Sequence, residues 1–246
     1  MTSWRLPKTA LVPLVLLAGF LAFPPQPAGA DNPPTSILLH IGPVVGENAC
    51  GQVPASPNDI VTSAAANPDG SDSYYVYLLG TPVYPSNGNN GLAGMQLGIT
   101  YDENTPSHPA LAVHSWNFCA SGLYFPGDGW PAPDTGIILT WLIPDQCGQP
   151  PLAAAGYFYV TAYGSSVMAV EGYPADGRVR VADCNGAVFD VEVDPARVGW
   201  VSMGNGMMGS DSDGCNPALE PCLGPVPVEP STWGKVKTRY TERARP

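Results

Sequence analysis

The groups with chemistry to offer in this 246-residue chain are three histidines, six cysteines and an excess of carboxylates. His40 sits inside Leu38-Leu39-His40-Ile41 and reads as a packed or edge strand residue. His108, between Ser107 and Pro109, reads as loop. His114 and Ser115 are adjacent, and neighbouring strand residues point to opposite faces, which would separate them as a catalytic pair. There is no Gly-x-Ser-x-Gly elbow and no His-Glu-x-x-His pair. Paired carboxylates occur in any acidic chain; their one specific reading here is a secreted hydrolase acting on polysaccharide through the long loop between Asp128 and Asp145. The leading expectation is a chain that is not an enzyme.

Cys50, Cys119, Cys147, Cys184, Cys215 and Cys222 are the disulfide candidates. An even count in an exported chain reads as a disulfide framework, and zinc would need closer pairs of the Cys-x-x-Cys type. Proximity in sequence favours Cys119–Cys147 and Cys215–Cys222, which leaves Cys50–Cys184. Gly204-Asn205-Gly206-Met207-Met208-Gly209 matches a dinucleotide fingerprint, but the acidic turn Ser210–Gly214 follows where a phosphate-binding helix should start. In the same segment Asp211, Asp213 and Glu220 take positions three, five and twelve of a calcium loop. Position one is Gly209, which has no carboxylate, so a solvated turn is the reading preferred. No cofactor is expected, with weak calcium binding as the alternative.

The strand Tyr157–Tyr163 offers the best surface. With Phe158, Val160 and Ala162 turned to a core, Tyr157, Tyr159, Thr161 and Tyr163 line the other face. Exposed tyrosines can stack on sugars or meet a protein; the alternative is a strand buried on both faces beneath a long loop. Trp116 and Trp130 flank Cys119 and suit either core or rim.

Charge and address narrow the setting. Arg5 and Lys8 precede an apolar run, three prolines break it, and Ala28-Gly29-Ala30 supplies small residues, the pattern of a cleavable signal peptide over residues 1–30. No second long apolar segment follows, so no transmembrane span is expected in the mature chain, and the protein is expected in the envelope or outside the cell. From Asp31 to Trp233 three arginines face twenty acids, a balance of −17. That excludes nucleic acid, whose phosphates need clustered cations. After the stiff linker Pro225–Pro230, the sign inverts in residues 231–246. There Trp233, Val236 and Tyr240 share one helical face, with Lys235, Lys237 and Arg239 beside them. This flexible basic tail is expected to contact an anionic envelope surface or export machinery.

The elements that must position these groups are short. Gly and Pro number 28 and 29, and few stretches escape both for the length of a helix. Met95, Leu97, Ile99 and Tyr101 alternate with Gln96, Gly98 and Thr100, as a half-buried strand requires. Phe189, Val191 and Val193 do the same. Further strands are expected at 37–41, 74–79, 110–118, 137–143, 157–163, 179–182 and 199–203, separated by turns such as Asn67-Pro68-Asp69-Gly70 and Asp176-Gly177. About nine strands so punctuated predict an all-β, single β-sandwich of jelly-roll or immunoglobulin type over residues 31–224.

The stretch Leu92–Asp102, with Gly136–Trp141 and Ala155–Ala162, resembles the strands of cohesin-type domains. The blocks Ser-Trp-Asn-Phe-Cys, Phe-Pro-Gly-x-Gly-Trp-Pro-Ala-Pro and Val-Ala-Asp-Cys are similar to exported bacterial proteins of uncharacterised activity. The cohesin resemblance implies a jelly-roll-like sandwich used in adhesion, scaffolding or carbohydrate contact. The cysteines and the Trp116–Trp130 insertion depart from it. The expected function is therefore a non-catalytic binding or structural module contacting protein or glycan at the cell surface, with a C-terminal sorting or attachment segment.

Overall fold

In the computed structural model of the chain, residues 35–47, 49–81, 91–142, 152–184, 186–191, 197–204 and 214–222 are described. Alternation of apolar with small or polar residues turns this sequence into strands. They run β1 Ile37–Pro43, β2 Ser63–Ala64, β3 Ser73–Gly80, β4 Gly94–Tyr101, β5 Leu111–Phe118, β6 Tyr124–Pro126, β7 Thr135–Thr140, β8 Ala153–Ala162, β9 Ser166–Glu171, β10 Arg180–Ala182, β11 Val188–Asp190 and β12 Trp200–Met203. Two single 3-10 turns, Ala49–Gly51 and Pro57–Asp59, are the helical pieces among the described residues. Among the described residues twelve strands thus stand where about nine were expected.

β1, β3, β8 and β5 form a four-stranded antiparallel sheet in that order. In the second sheet β4 is central. β7 runs along one side of it, with β6 beyond. On its other side β10 pairs with its first half and β9 with its second. β11 extends from β10, and β12 then β2 extend from β9. The two sheets face each other as a sandwich, the fold class the sequence predicts.

The inward residues are those the period-2 pattern selects. Ile37, Leu39, Val76, Leu78, Phe158 and Val160 come from the four-stranded sheet; Met95, Leu97, Ile99, Ile137, Leu139, Met168, Val181 and Val201 come from the other. Trp116 and Trp130 belong to the core margin: their rings meet edge to face at 5.4 Å, and both lean on Phe158. Gly156 makes room for them, since a side chain there would strike the Trp116 indole and the Asn117 carbonyl.

A second, smaller core lies on the outer face of the four-stranded sheet, where Leu38, Tyr77, Leu79 and Leu152 meet Val53 and Ile60. Residues 44–47 and 49–62, which follow β1, fold back over that face. The Tyr77 hydroxyl donates to the Ala49 carbonyl (3.0 Å), and the Tyr75 hydroxyl to that of Val45 (3.0 Å). The backbone N–H of Val61 donates to His40 Nδ1 (2.9 Å). His40 is buried, and burial holds its imidazole down at about 4.

The cysteine pairing corrects the expectation in part. Cys215–Cys222 forms, but Cys119 is joined to Cys50 rather than Cys147. The covering segment explains this. Its 3-10 turn lays Cys50 across the sheet beside the end of β5, a neighbourhood that sequence distance conceals. Cys184 is also in a disulfide, which is not the expected Cys50–Cys184; Cys147 lies outside the described residues. The Cys215–Cys222 loop packs on Trp200, tied by paired backbone hydrogen bonds between Trp200 and Cys215.

Candidate functional site

On the outer face of the four-stranded sheet the register lines up polar and aromatic side chains in rows. His40, Tyr77, Tyr157 and Asn117 form one row, Gly42, Tyr75, Tyr159 and Ser115 the next, and Ser73, Thr161 and Ala112 a third. Centroids lie 4.5 Å apart for Tyr75–Tyr157, 5.7 Å for Tyr77–Tyr157 and 6.0 Å for Tyr75–Tyr159. These are the tilted and edge-on spacings that aromatic pairs favour. Gly42 carries no side chain because a Cβ there would approach the Tyr77 ring to 2.9 Å.

β5 carries a bulge in this face. Val113 pairs with Val160 and Ser115 with Tyr159, so His114 is an extra residue without an opposite number on β8. The bulge overturns the expectation that His114 and Ser115 point to opposite faces. Ser115 lies opposite Tyr159, and the His114 ring lies 5.1 Å from the Tyr159 ring. His114 Nε2 shares a 2.8 Å hydrogen bond with the Thr161 hydroxyl, which is in turn 2.9 Å from that of Ser73. Asn117 Nδ2 donates to the Ser115 hydroxyl (3.2 Å). The histidine is thereby engaged with a buried threonine, an arrangement that fixes its ring on the sheet.

The face is divided. Towards β1 and β3 residues 44–47 and 49–62 cover it and Tyr77 is buried. Towards β8 and β5 it is open: Tyr157 and Tyr159 are half-buried, as is Tyr75 of β3 at the edge of the cover, and His114 and Asn117 are exposed. Burial, with Tyr75 nearby, raises the Tyr157 hydroxyl above its ordinary value. None of β1, β3, β5 or β8 contains Asp, Glu, Lys or Arg, so this is an uncharged platform on an acidic chain. The Cys50–Cys119 bridge closes one end of it by tying the cover to the residue after β5.

A different arrangement occupies the outer face of the other sheet. A cleft of about 330 Å³ is lined by Gly127, Asp128, Asp134, Thr135, Gly136 and Tyr173–Ala175. Gly98 and Gly136 form part of its support, where Glu171, Tyr173 and Pro174 lie across them. The turn 173–178 is held by Asp176, which takes Arg180 at 2.6 Å and the Gln96 amide at 3.1 Å. Burial and the charge of Asp134 raise the Glu171 carboxyl above its ordinary value. The Thr100 hydroxyl donates to Asp134 (2.9 Å). Arg178 and Arg180 are engaged by Asp190 and Asp176, and among the described residues no cation pairs with Asp128, Asp134 or Glu171.

The structure thus brings Tyr157 and Tyr159 together and adds Tyr75, Tyr77 and His114, which strand-by-strand reading did not connect. The signal was available in Tyr74-Tyr75-Val76-Tyr77, whose alternate tyrosines share a face. Tyr163 is elsewhere, packed on Gly70 in the turn before β3, where φ is +75°. His108 closes a tight turn with Thr105, as expected of a loop residue. Glu220 is exposed, while Asp211 and Asp213 lie outside the described residues, as do the expected signal peptide, the linker, and Trp233, Lys235, Lys237, Arg239 and Tyr240 of the tail. Among the described residues no helix is long and apolar enough to cross a membrane.

Solved structures similar to the chain include cohesins. A type I cohesin–dockerin complex from Clostridium thermocellum is 12% identical over 69% of this chain and 93% of that chain, with a TM-score of 0.36. The complex of a CaDoc0917 variant with CaCohA2 is 16% identical over 63% and 92%, with a TM-score of 0.34. The seventh ScaB type I cohesin from Pseudobacteroides cellulosolvens is 9% identical over 59% and 84%, with a TM-score of 0.32. No protein-family model and no curated protein matches the chain.

Proposed function

We propose that this is an exported, non-catalytic binding module that meets a protein or glycan of the cell surface through the open β8–β5 half of its four-stranded sheet. One observation carries the reading. Tyr75, Tyr157 and Tyr159, with His114 and Asn117, form an uncharged platform whose rings pack on one another, with Tyr75 also held by its hydroxyl bond to the Val45 carbonyl and His114 by its bond to Thr161. Ordering such rings in advance reduces the entropy lost on binding, and tyrosine offers both a stacking face and a hydroxyl. Residues 1–30 direct export, and residues 231–246, on the 225–230 linker, sort or attach the module.

The experiment is capture from the native envelope, with cell-wall proteins and polysaccharides presented separately, using wild type and Tyr157→Ala/Tyr159→Ala. Loss of binding by about tenfold or more is expected, as for other aromatic contact centres. Binding that survives the double substitution refutes the platform. Deleting residues 231–246 should change where the protein is retained; unchanged retention refutes the tail's role.

A second reading, a carboxylate-dependent hydrolase acting on polysaccharide, is favoured by one feature. The cleft is lined by Asp128 and Asp134, and burial with the charge of Asp134 raises the neighbouring Glu171 carboxyl, which is the property of a general acid. Turnover of a polysaccharide that Glu171→Gln abolishes would establish it in place of the first.

A further inference from the structure

We propose that strand β6 pairs edge to edge with β6 of a second copy of this chain, about a two-fold axis at Tyr124. β6 is an outer strand, paired among the described strands only with β7. Half of the eight large apolar side chains exposed among the described residues lie on this margin: Leu123 (65%), Tyr124 (47%), Phe125 (56%) and Leu142 (55%). Edge strands with this much apolar surface recruit another strand unless something covers them.

The backbone decides what kind of strand fits. Leu123 accepts from the Thr140 N–H (2.7 Å), and Gly127 donates to the Gly136 carbonyl (2.8 Å), so the odd-numbered residues direct their backbone groups at β7. In an antiparallel ladder the even ones then face outward, which presents the N–H and carbonyl of Tyr124. Two copies related by a two-fold axis can exchange that pair of hydrogen bonds at Tyr124. Pro126 supplies no N–H and so weakens the ladder beyond this exchange, and the contact closes as a dimer because the two-fold pairing uses the outer edge of β6 in both copies. Leu123 of each copy then lies opposite Phe125 of the other on one face, a cross-strand apolar pair made twice. On the other face the two Tyr124 side chains meet, each beside its own Phe118, whose ring is 4.7 Å away.

Charge distribution selects a second copy as the occupant. The chain has a net charge of −11, and two copies repel over most of their surfaces. Residues 104–127 and 135–144 contain no Asp, Glu, Lys or Arg. The β6 margin is built from those two stretches, so copies can touch there without placing like charges against each other.

The test is the mass of the purified protein in solution, by sedimentation and light scattering at tens of micromolar. Raising salt from about 0.01 to about 0.15 M shortens the screening length from about 30 to about 8 Å. The expected result is a doubled mass whose population rises with salt. Leu123→Lys/Phe125→Lys changes exposed side chains only and should weaken association about tenfold or more with an unaltered circular dichroism spectrum. Tyr124→Phe, which keeps the backbone and the ring, should remain dimeric. A monomer at all salt concentrations, a dimer indifferent to the two lysines, or a β6 that binds only a different protein would each overturn the proposal.

Discussion

Breaking the Cys50–Cys119 bridge should cost the protein more stability than breaking Cys215–Cys222. The two bridges span sequence separations of 69 and 7. Constraining the unfolded chain by loops of those lengths is worth about 4.4 and about 2.4 kcal/mol at 25 °C, a difference of about 2 kcal/mol. The variants are Cys50→Ala/Cys119→Ala and Cys215→Ala/Cys222→Ala, each unfolded in urea without reductant, with the denaturant slope checked for two-state behaviour. A local consequence accompanies the global one. The long bridge anchors the turn whose Ala49 carbonyl receives the Tyr77 hydroxyl, and burial, with Tyr157 and Tyr75 nearby, pushes that hydroxyl up to about 12. In the opened variant Tyr77 should ionise nearer its ordinary value of 10, which ultraviolet difference titration reads. In the intact protein the raised value means that stability from this group is complete below pH 10 and declines as pH climbs through about 12. Equal losses for the two variants, or a greater loss from the short loop, would refute the chain-entropy reasoning. An unchanged Tyr77 titration would refute the role of the bridge in holding the cover.

His40 gives the opposite pH dependence. Its folded-state value of about 4 lies below the ordinary 6.5, so its contribution is complete above pH 6.5 and is lost as pH falls towards 4. Protonation also deprives the Val61 N–H of its acceptor, so hydrogen exchange in residues 44–47 and 49–62 should accelerate over that interval, and His40→Gln should flatten the dependence. At Gly136 a Cβ would sit 2.5 Å from Tyr173 Cδ2 and 2.8 Å from the Leu97 carbonyl oxygen. Gly136→Ala should therefore destabilise by about 1–3 kcal/mol, as overpacking does. Gly46→Ala meets nothing within 4 Å and should stay within about 0.5 kcal/mol of wild type in the same urea melts.

Strands whose two faces meet different surroundings were legible in the sequence. β4 follows its alternation residue by residue, and β1, β3, β5 and β12 fall within a residue or two of their expected limits. β9 was not legible, because its outward Val167 and Ala169 are covered by Trp200 and the Cys215–Cys222 loop, which erases the polar half of the pattern. β2 and β6 are too short to express a period. The tyrosine face was half legible. Tyr157 and Tyr159 follow from periodicity within one strand, but their partners Tyr75 and His114 depend on which strands are neighbours and on a backbone irregularity. The Cys50–Cys119 pair depends in the same way on a segment folding back over its own sheet. The acidic cleft joins β4, β7 and the turn after β9 through glycines, whose importance shows only when something lies on them.

The irregularity at His114 ties two properties of β5 to a single backbone position. With the extra residue in place, His114, Ser115 and Asn117 decorate the exterior, and Trp116 and Phe118 still reach the interior. Deleting His114 would straighten the strand and leave Ser115 and Asn117 outward and Trp116 and Phe118 inward, whereas straightening it with the residue count kept would swing its far half by one side, sending Trp116 and Phe118 into solvent and Asn117 into the core. The bulge is therefore a position in β5 at which a residue can be lost without reversing the faces of the strand, and losing it takes the imidazole off the exterior.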